Sequence, residues 1–114
     1  MRGAALWLLL PCIAAPVAMA QDVPAPDRQA QLVRMVRQDC GACHGLRLTG
    51  GLGPALTTEA LAARTDEDIV SAILDGRPGA AMPGWRAMLN ETESAWIARQ
   101  LKQGFPEEGA GGRR

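Results

Sequence analysis

The chain is short of several things at once. Tyrosine is absent, phenylalanine occurs once and histidine once, and cysteine only three times in 114 residues. A single histidine rules out catalytic or metal centres built on histidine pairs, and a zinc site of about four ligands has too few Cys and His to draw on. Lys102 is the one lysine, and the formal net charge is zero. No basic stripe exists to hold nucleic acid or an anionic membrane. Nowhere do polar and apolar residues alternate over the length of a strand, so nothing points to a sheet. Beyond residue 20 no apolar run approaches the roughly 20 residues needed to cross a bilayer.

The first twenty residues read as a leader. Arg2 is followed by an almost wholly apolar stretch from Ala4 to Ala15, broken by Pro11, and then by Ala18-Met19-Ala20. A charged start, a short apolar centre and small residues at the cut are the marks of a secretory signal peptide, cleaved after Ala20. The expected product is exported to the periplasm with no stable membrane insertion. Its organisation is then a flexible lead-in over 21–29, one folded domain over 30–106 and a disordered Gly-rich tail over 107–114. Cleavage removes Cys12, leaving Cys40 and Cys43 within a single motif.

Helical spacing dominates the folded part. Leu32, Val33, Met35 and Val36 predict a helix from Arg28 to Asp39 with Asp27 as its N-cap. Thr57–Ala63 suits a short helix. Thr65 caps a third, with Asp66, Glu67 and Asp68 in its first turn and Gly76 at its end. Asn90 and Glu93 form a capping-box pattern ahead of Trp96, Ile97 and Leu101. Two long Gly/Pro loops lie between these helices. The expectation is therefore an all-α domain of about four short helices. Loops of that length in so small a domain call for something to wrap around.

Cys40-Gly41-Ala42-Cys43-His44 supplies it, because C-x-x-C-H is a haem-attachment pattern. Two intervening residues space the thiols for the two haem vinyl groups, and the adjacent imidazole falls beneath the iron as an axial ligand. For the second axial position the candidate is Met82, in the Gly/Pro loop beyond the middle helix. Met88 and Met35 are competitors, Met35 being better explained as core. A ligating histidine usually gives its other ring N–H to an acceptor. The carbonyl of Pro54 is one candidate, and a plain loop-closing proline is the other reading. No residue pair forms an acid–base or nucleophile set, so an electron carrier is expected rather than an enzyme. Coordination by a labile Met82, with the iron open to small ligands, is the competing possibility.

Together, Cys40-x-x-Cys43-His44-Gly45, Gly53-Pro54-Ala55-Leu56, Met82-Pro83 and a last helix bearing an aromatic residue resemble class I cytochrome c over about residues 30–106. The resemblance implies an α-helical fold in which first and last helices cross around one covalently bound haem c, His44/Met82 ligation and a Pro54 carbonyl bonded to His44. The stretch from Gln38 to Leu56, with Asp75-Gly76-Arg77-Pro78-Gly79 and Gly104-Phe105-Pro106, is more narrowly similar to the NirC or cytochrome c55X group. That likeness implies redox partner proteins, with electrons passing to cytochrome cd1 nitrite reductase in denitrification, or alternatively an accessory part in maturing its haem d1. It also implies dependence on the haem-attachment machinery. A monomer is expected. Two departures stand out: class I members often carry a glycine at the position of Leu32 and an aromatic at that of Val36. With a single lysine, docking is expected to be apolar with help from Arg47, Arg77 or Arg86 rather than steered by a lysine ring.

Overall fold

The computed structural model describes residues 14–16 and 22–109. Most of the leader, with its cleavage point after Ala20, lies outside these residues, as does the tail from 110 onward. Helix α1 spans Pro26–Met35, continues through a π-helical turn over Val36–Cys40, and passes without a break into α2, Gly41–His44. Helix α3 covers Thr58–Leu61, α4 Asp66–Asp75 and α5 Glu91–Lys102. There is no strand among the described residues.

Helix α1 starts earlier than its apolar spacing suggests, inside the segment read as a flexible lead-in. Asp27 is not the cap. Ala25 holds that position at φ −57°, ψ 152°, and Pro26 follows as the first helical residue. The reason lies in the proline. It tolerates the first turn because its missing N–H would have no partner there, and it pushes the preceding residue into extended backbone. Asp27 falls instead in the first turn, where the helix dipole favours an anion.

The other caps follow the sequence pattern. Thr65 Oγ1 accepts from Asp68 N–H at 3.1 Å, and Thr57 Oγ1 from Ala60 N–H at 3.2 Å. Asn90 Oδ1 accepts from Glu93 N–H at 2.8 Å while Glu93 Oε2 accepts from Asn90 N–H at 3.2 Å. Loss of such a cap typically costs about 1 kcal/mol.

The core is small and shared by α1 with its π turn, α3, α4 and α5. Leu32 and Val36 come from the first helix and its π turn, Leu61 from α3, Ile69, Ile73 and Leu74 from α4, and Trp96, Ile97, Ala98 and Leu101 from α5. Leu48 and Leu89 join from the loops. Helix α4 packs along α5, and α3 rests against α5. Leu32 is fully buried, and so are Ser94 and Ala98, one turn apart on α5.

Polar ties join the first helix to the last at both ends. Near the start, Arg28 Nε donates to Glu93 Oε1 at 2.6 Å. Beyond the far end, buried Arg37 donates to the carbonyls of Phe105 at 2.7 Å and Pro106 at 3.0 Å and stacks over the Phe105 ring. Arg37 also reaches Glu107 at 3.3 Å, and Gln38 donates to Glu108 at 3.1 Å. The first residues of the segment read as a disordered tail are thus tied back onto the π turn.

The Arg28–Glu93 pair makes stability pH-dependent. The hydrogen bond from Arg28, opposed by burial, holds the Glu93 carboxyl below the usual carboxylate range. A depressed folded-state pKa gives stability that is complete above the unfolded value of about 4 and is lost as pH falls through the folded one. The gap in melting temperature between wild type and Glu93→Gln should therefore be constant near neutrality and narrow on acidification below about pH 4. A gap independent of pH would show that the charge on Glu93 contributes nothing.

Candidate functional site

The cysteine motif lies on the last turn of the long first helix. Cys40 and Cys43 are three residues apart, which puts both on one face. Neither is in a disulfide; Cys40 is half-buried and Cys43 exposed. Burial, with Asp39 next along the chain, pushes the Cys40 thiol up to about 11. It is therefore a protonated thiol at neutral pH.

The loop that follows is built on the open carbonyls of this helix end. Gly53 N–H donates to Cys43 O and Gly50 N–H to His44 O, both at 2.8 Å. Gly45 leaves the helix at φ +89°, a conformation open to glycine at little cost. Leu48 adopts φ +60°, which is uncommon for a branched side chain. It is held there by a buried side chain and by bonds from its N–H to Gly45 O and from Leu56 N–H to its own carbonyl.

This loop returns Pro54 to the imidazole. His44 Nδ1 lies 2.7 Å from the Pro54 carbonyl oxygen. A carbonyl only accepts, so Nδ1 carries a proton and donates, which makes Nε2 the nitrogen turned to any metal. His44 is only 8% exposed. An imidazole held through Nδ1 beside two thiols on one helical face is the donor set a c-type haem requires, and the residues fit that group.

Sequence reasoning missed the part played by Gly53. A Cβ at this position would lie 2.7 Å from His44 Cε1 and 2.8 Å from Nδ1, closer than real Cβ atoms approach. The ring packs on bare backbone, and a Gly preceding Pro in the loop was the only signal available. Gly53→Ala must displace the ring or the loop, weakening the bond to Pro54. We expect haem incorporation to fall several-fold or the reduction potential of the holoprotein to shift, and unchanged values of both would show that the loop yields freely.

Met82 is half-buried in the loop between α4 and α5. That loop is folded back on the end of α4: Trp85 N–H donates to Ile73 O at 2.9 Å, and Arg77 N–H to Met82 O at 3.3 Å. Gly76, at φ +71°, allows the approach, since a Cβ there would meet Met82 O at 2.5 Å. Trp85 packs against the core. Met35 does so too. Met88 is 55% exposed, and its carbonyl accepts from Arg28 at the opposite end of α1 from the cysteines. Arg86 pairs with Asp75 at 2.6 Å and 3.2 Å, whereas Arg47 and Arg77 are exposed and take no part in an ion pair among the described residues.

Comparison with known proteins adds a family. Residues 27–101 match the family described as Cytochrome C oxidase, cbb3-type, subunit III. Cytochrome c55X of Stutzerimonas stutzeri is 51% identical over 92 residues, covering 81% of this chain and 80% of that protein. The structure of the c-type cytochrome NirC superposes with a TM-score of 0.70 at 51% identity, over 71% of this chain and 95% of the other. The dihydro-heme d1 dehydrogenase NirN, in complex with DHE, superposes at 0.59 and 32% identity, over 73% of this chain and 17% of the larger one.

Proposed function

The chain belongs to the cytochrome c55X family of c-type cytochromes, and from that premise we propose that it is exported to the periplasm and passes single electrons to cytochrome cd1 nitrite reductase. The observation that carries the reading is the His44 imidazole, its Nδ1 held at 2.7 Å by the Pro54 carbonyl next to the two cysteines.

One haem c per chain supplies a reversible ferric–ferrous couple when bound. Cys40 and Cys43 would hold it through two thioethers. His44 would hold the iron through Nε2, and the Pro54 carbonyl, by drawing on the Nδ1 proton, would make that nitrogen the better donor. Met82 would be the second protein ligand; a thioether favours the reduced state relative to a second imidazole. Held by both residues, the group would suit a carrier rather than an enzyme. Among the described residues no helix is long and apolar enough to cross a membrane, in keeping with a mobile carrier.

The likeness to dihydro-heme d1 dehydrogenase favours a second reading, a part in completing haem d1 for the reductase. Two experiments separate these. Spectra of the purified protein, oxidised and reduced, with and without carbon monoxide, test the carrier chemistry: a low-spin iron with a thioether band and no response to the gas is expected, and ready gas binding would favour a ligand-binding protein with labile Met82. Deletion of the gene tests the role. A reductase that retains haem d1 but receives electrons slowly supports donation, while a reductase lacking haem d1 supports maturation.

A further inference from the structure

Arg37 is a buried cation, only 8% exposed, and it stands three residues before Cys40. A buried guanidinium is normally held by a buried carboxylate. This one is not. Its carboxylate, Glu107, has a side chain 84% exposed and lies 3.3 Å away. What holds Arg37 is the backbone beyond α5. Nη2 donates to Phe105 O at 2.7 Å and to Pro106 O at 3.0 Å, and Nε donates to Pro106 O at 3.1 Å. The Phe105 ring lies against the guanidinium, with Cζ 5.5 Å from its centroid. Neither carbonyl accepts a backbone N–H among the described residues, so the planar fork supplies donors that the main chain does not.

The chain is steered into this contact. Gly104 leaves α5 at φ +91°, a conformation that glycine adopts at little cost. A Cβ there would meet only Thr58 Oγ1, at 4.0 Å, so the glycine sets the direction of the chain rather than allowing a close approach. Residues 105–108 then cross the π turn as a strap. A groove beside it is lined by Arg37, Gln38, Leu46, Glu107 and Glu108. Leu46 also lies over the start of α2, its Cα 3.4 Å from the position of a Cβ on Gly41. The strap, the π turn and the loop that carries Pro54 therefore meet around Arg37. Single π-helical turns within α-helices are rare and fall frequently at functional sites. Here the first residue of the turn, Val36, is 1% exposed in the core, and the second, Arg37, is fastened to the strap. Both anchors lie just upstream of the cysteines whose direction the turn sets.

We propose that Arg37 is a positioning residue for the haem: clasped to the carbonyls of Phe105 and Pro106, it holds the π turn in the register that presents Cys40, Cys43 and His44 together, and makes the segment after α5 a working part of the site. Its action passes through the backbone of the turn. The proposal rests on the haem-attachment reading above.

The test uses the full-length chain matured in the periplasm beside the haem-attachment machinery. Arg37→Met removes the fork and keeps much of the length, and Arg37→Lys keeps the charge. Phe105→Ala removes the ring and leaves both carbonyls. Leu61→Ala is a core truncation in α3 that serves as the destabilised control. Haem per chain, reduction potential, the electron paramagnetic resonance of the ferric form, amide exchange over residues 36–41 and melting temperature are measured for each. Arg37→Met should carry several-fold less haem per chain, and its loaded fraction should show a shifted potential, an altered ferric signal and faster exchange over residues 36–41. Arg37→Lys should recover most of the haem content, because an ammonium also has donors for two carbonyls. Phe105→Ala should move each quantity in the same direction by less, and should add little to Arg37→Met, since both break one contact. Leu61→Ala should lower the melting temperature and leave potential and ferric signal as in wild type. If Arg37→Met does not accumulate, Arg37→Lys and Phe105→Ala decide the matter, and wild-type values in both would overturn the proposal. Wild-type haem content, potential and exchange in Arg37→Met, whatever its melting temperature, would reduce the clasp to a structural tie and overturn it. Equal shifts in Leu61→Ala would overturn it by tracing the effect to lost stability. A wild type without covalent haem would overturn the attachment reading as well.

Discussion

Replacing Met82 with alanine is expected to turn a closed iron into an open one. If Met82 is the second axial ligand, the variant loses the thioether-to-iron band, binds carbon monoxide in the reduced state where wild type does not, and falls in reduction potential. The fall should be on the order of 0.1 V, a modest part of the roughly 0.8 V range over which axial ligands set haem potentials. Its direction follows from the ligand: a thioether stabilises ferrous iron, and water or a recruited nitrogen does not. Met88→Ala is the matched control. Its side chain is more than half exposed and its carbonyl is engaged with Arg28, so its spectrum and potential should match wild type. Retention of the band in Met82→Ala, with its loss in Met88→Ala, would assign the ligand to Met88.

The second large effect is thermodynamic. Leu32 is fully buried in the cluster shared by α1, α3, α4 and α5, and truncating a buried leucine costs about 2–5 kcal/mol, lost transfer energy plus the cavity left behind. In a domain of this size each kcal/mol moves the melting temperature by about 4–8 °C. Leu32→Ala should thus lower the midpoint by at least about 8 °C in a melt of the holoprotein followed by circular dichroism, while the axial-ligand spectrum of the folded fraction stays unchanged. A loss under about 1 kcal/mol would show that the site collapses around the smaller side chain. Wild-type values should also exceed those of Ser94→Leu, since overfilling a close-packed contact is costly as well.

The strongest local signals in the sequence were chemical. Capping hydroxyls at Thr57 and Thr65 and the reciprocal pair at Asn90 and Glu93 specify helix starts by hydrogen bonds a few residues long, so they were readable directly. The Cys40–His44 pattern is equally local, because the spacing that the proposed attachment needs lies within five residues. Where the reading went astray, a nearer constraint outweighed a periodic one: Pro26 moved the start of α1, and Asp27 became a first-turn anion rather than a cap. Arg37 and Gly53 were invisible for another reason. The first is defined by carbonyls of Phe105 and Pro106 far along the chain, the second by the face of a ring it touches only after the loop has closed. Neither leaves a mark in local pattern.

The π-helical turn has a consequence for any search by motif. Gly41 N–H bonds to Val36 O, five residues back, so the turn holds one residue more than an α-helix would. Each residue in an α-helix turns the chain by about 100°. Were the turn regular, Cys40, Cys43 and His44 would leave the helix on a different side while keeping their order and spacing. Deleting one residue between Val36 and Asp39 would preserve the five-letter signature and the loop bonded to it, and turn both away from the core that receives Leu48. Two relatives that match perfectly in those five letters can therefore differ in whether the letters meet their partners, and the count of residues just upstream is what distinguishes them.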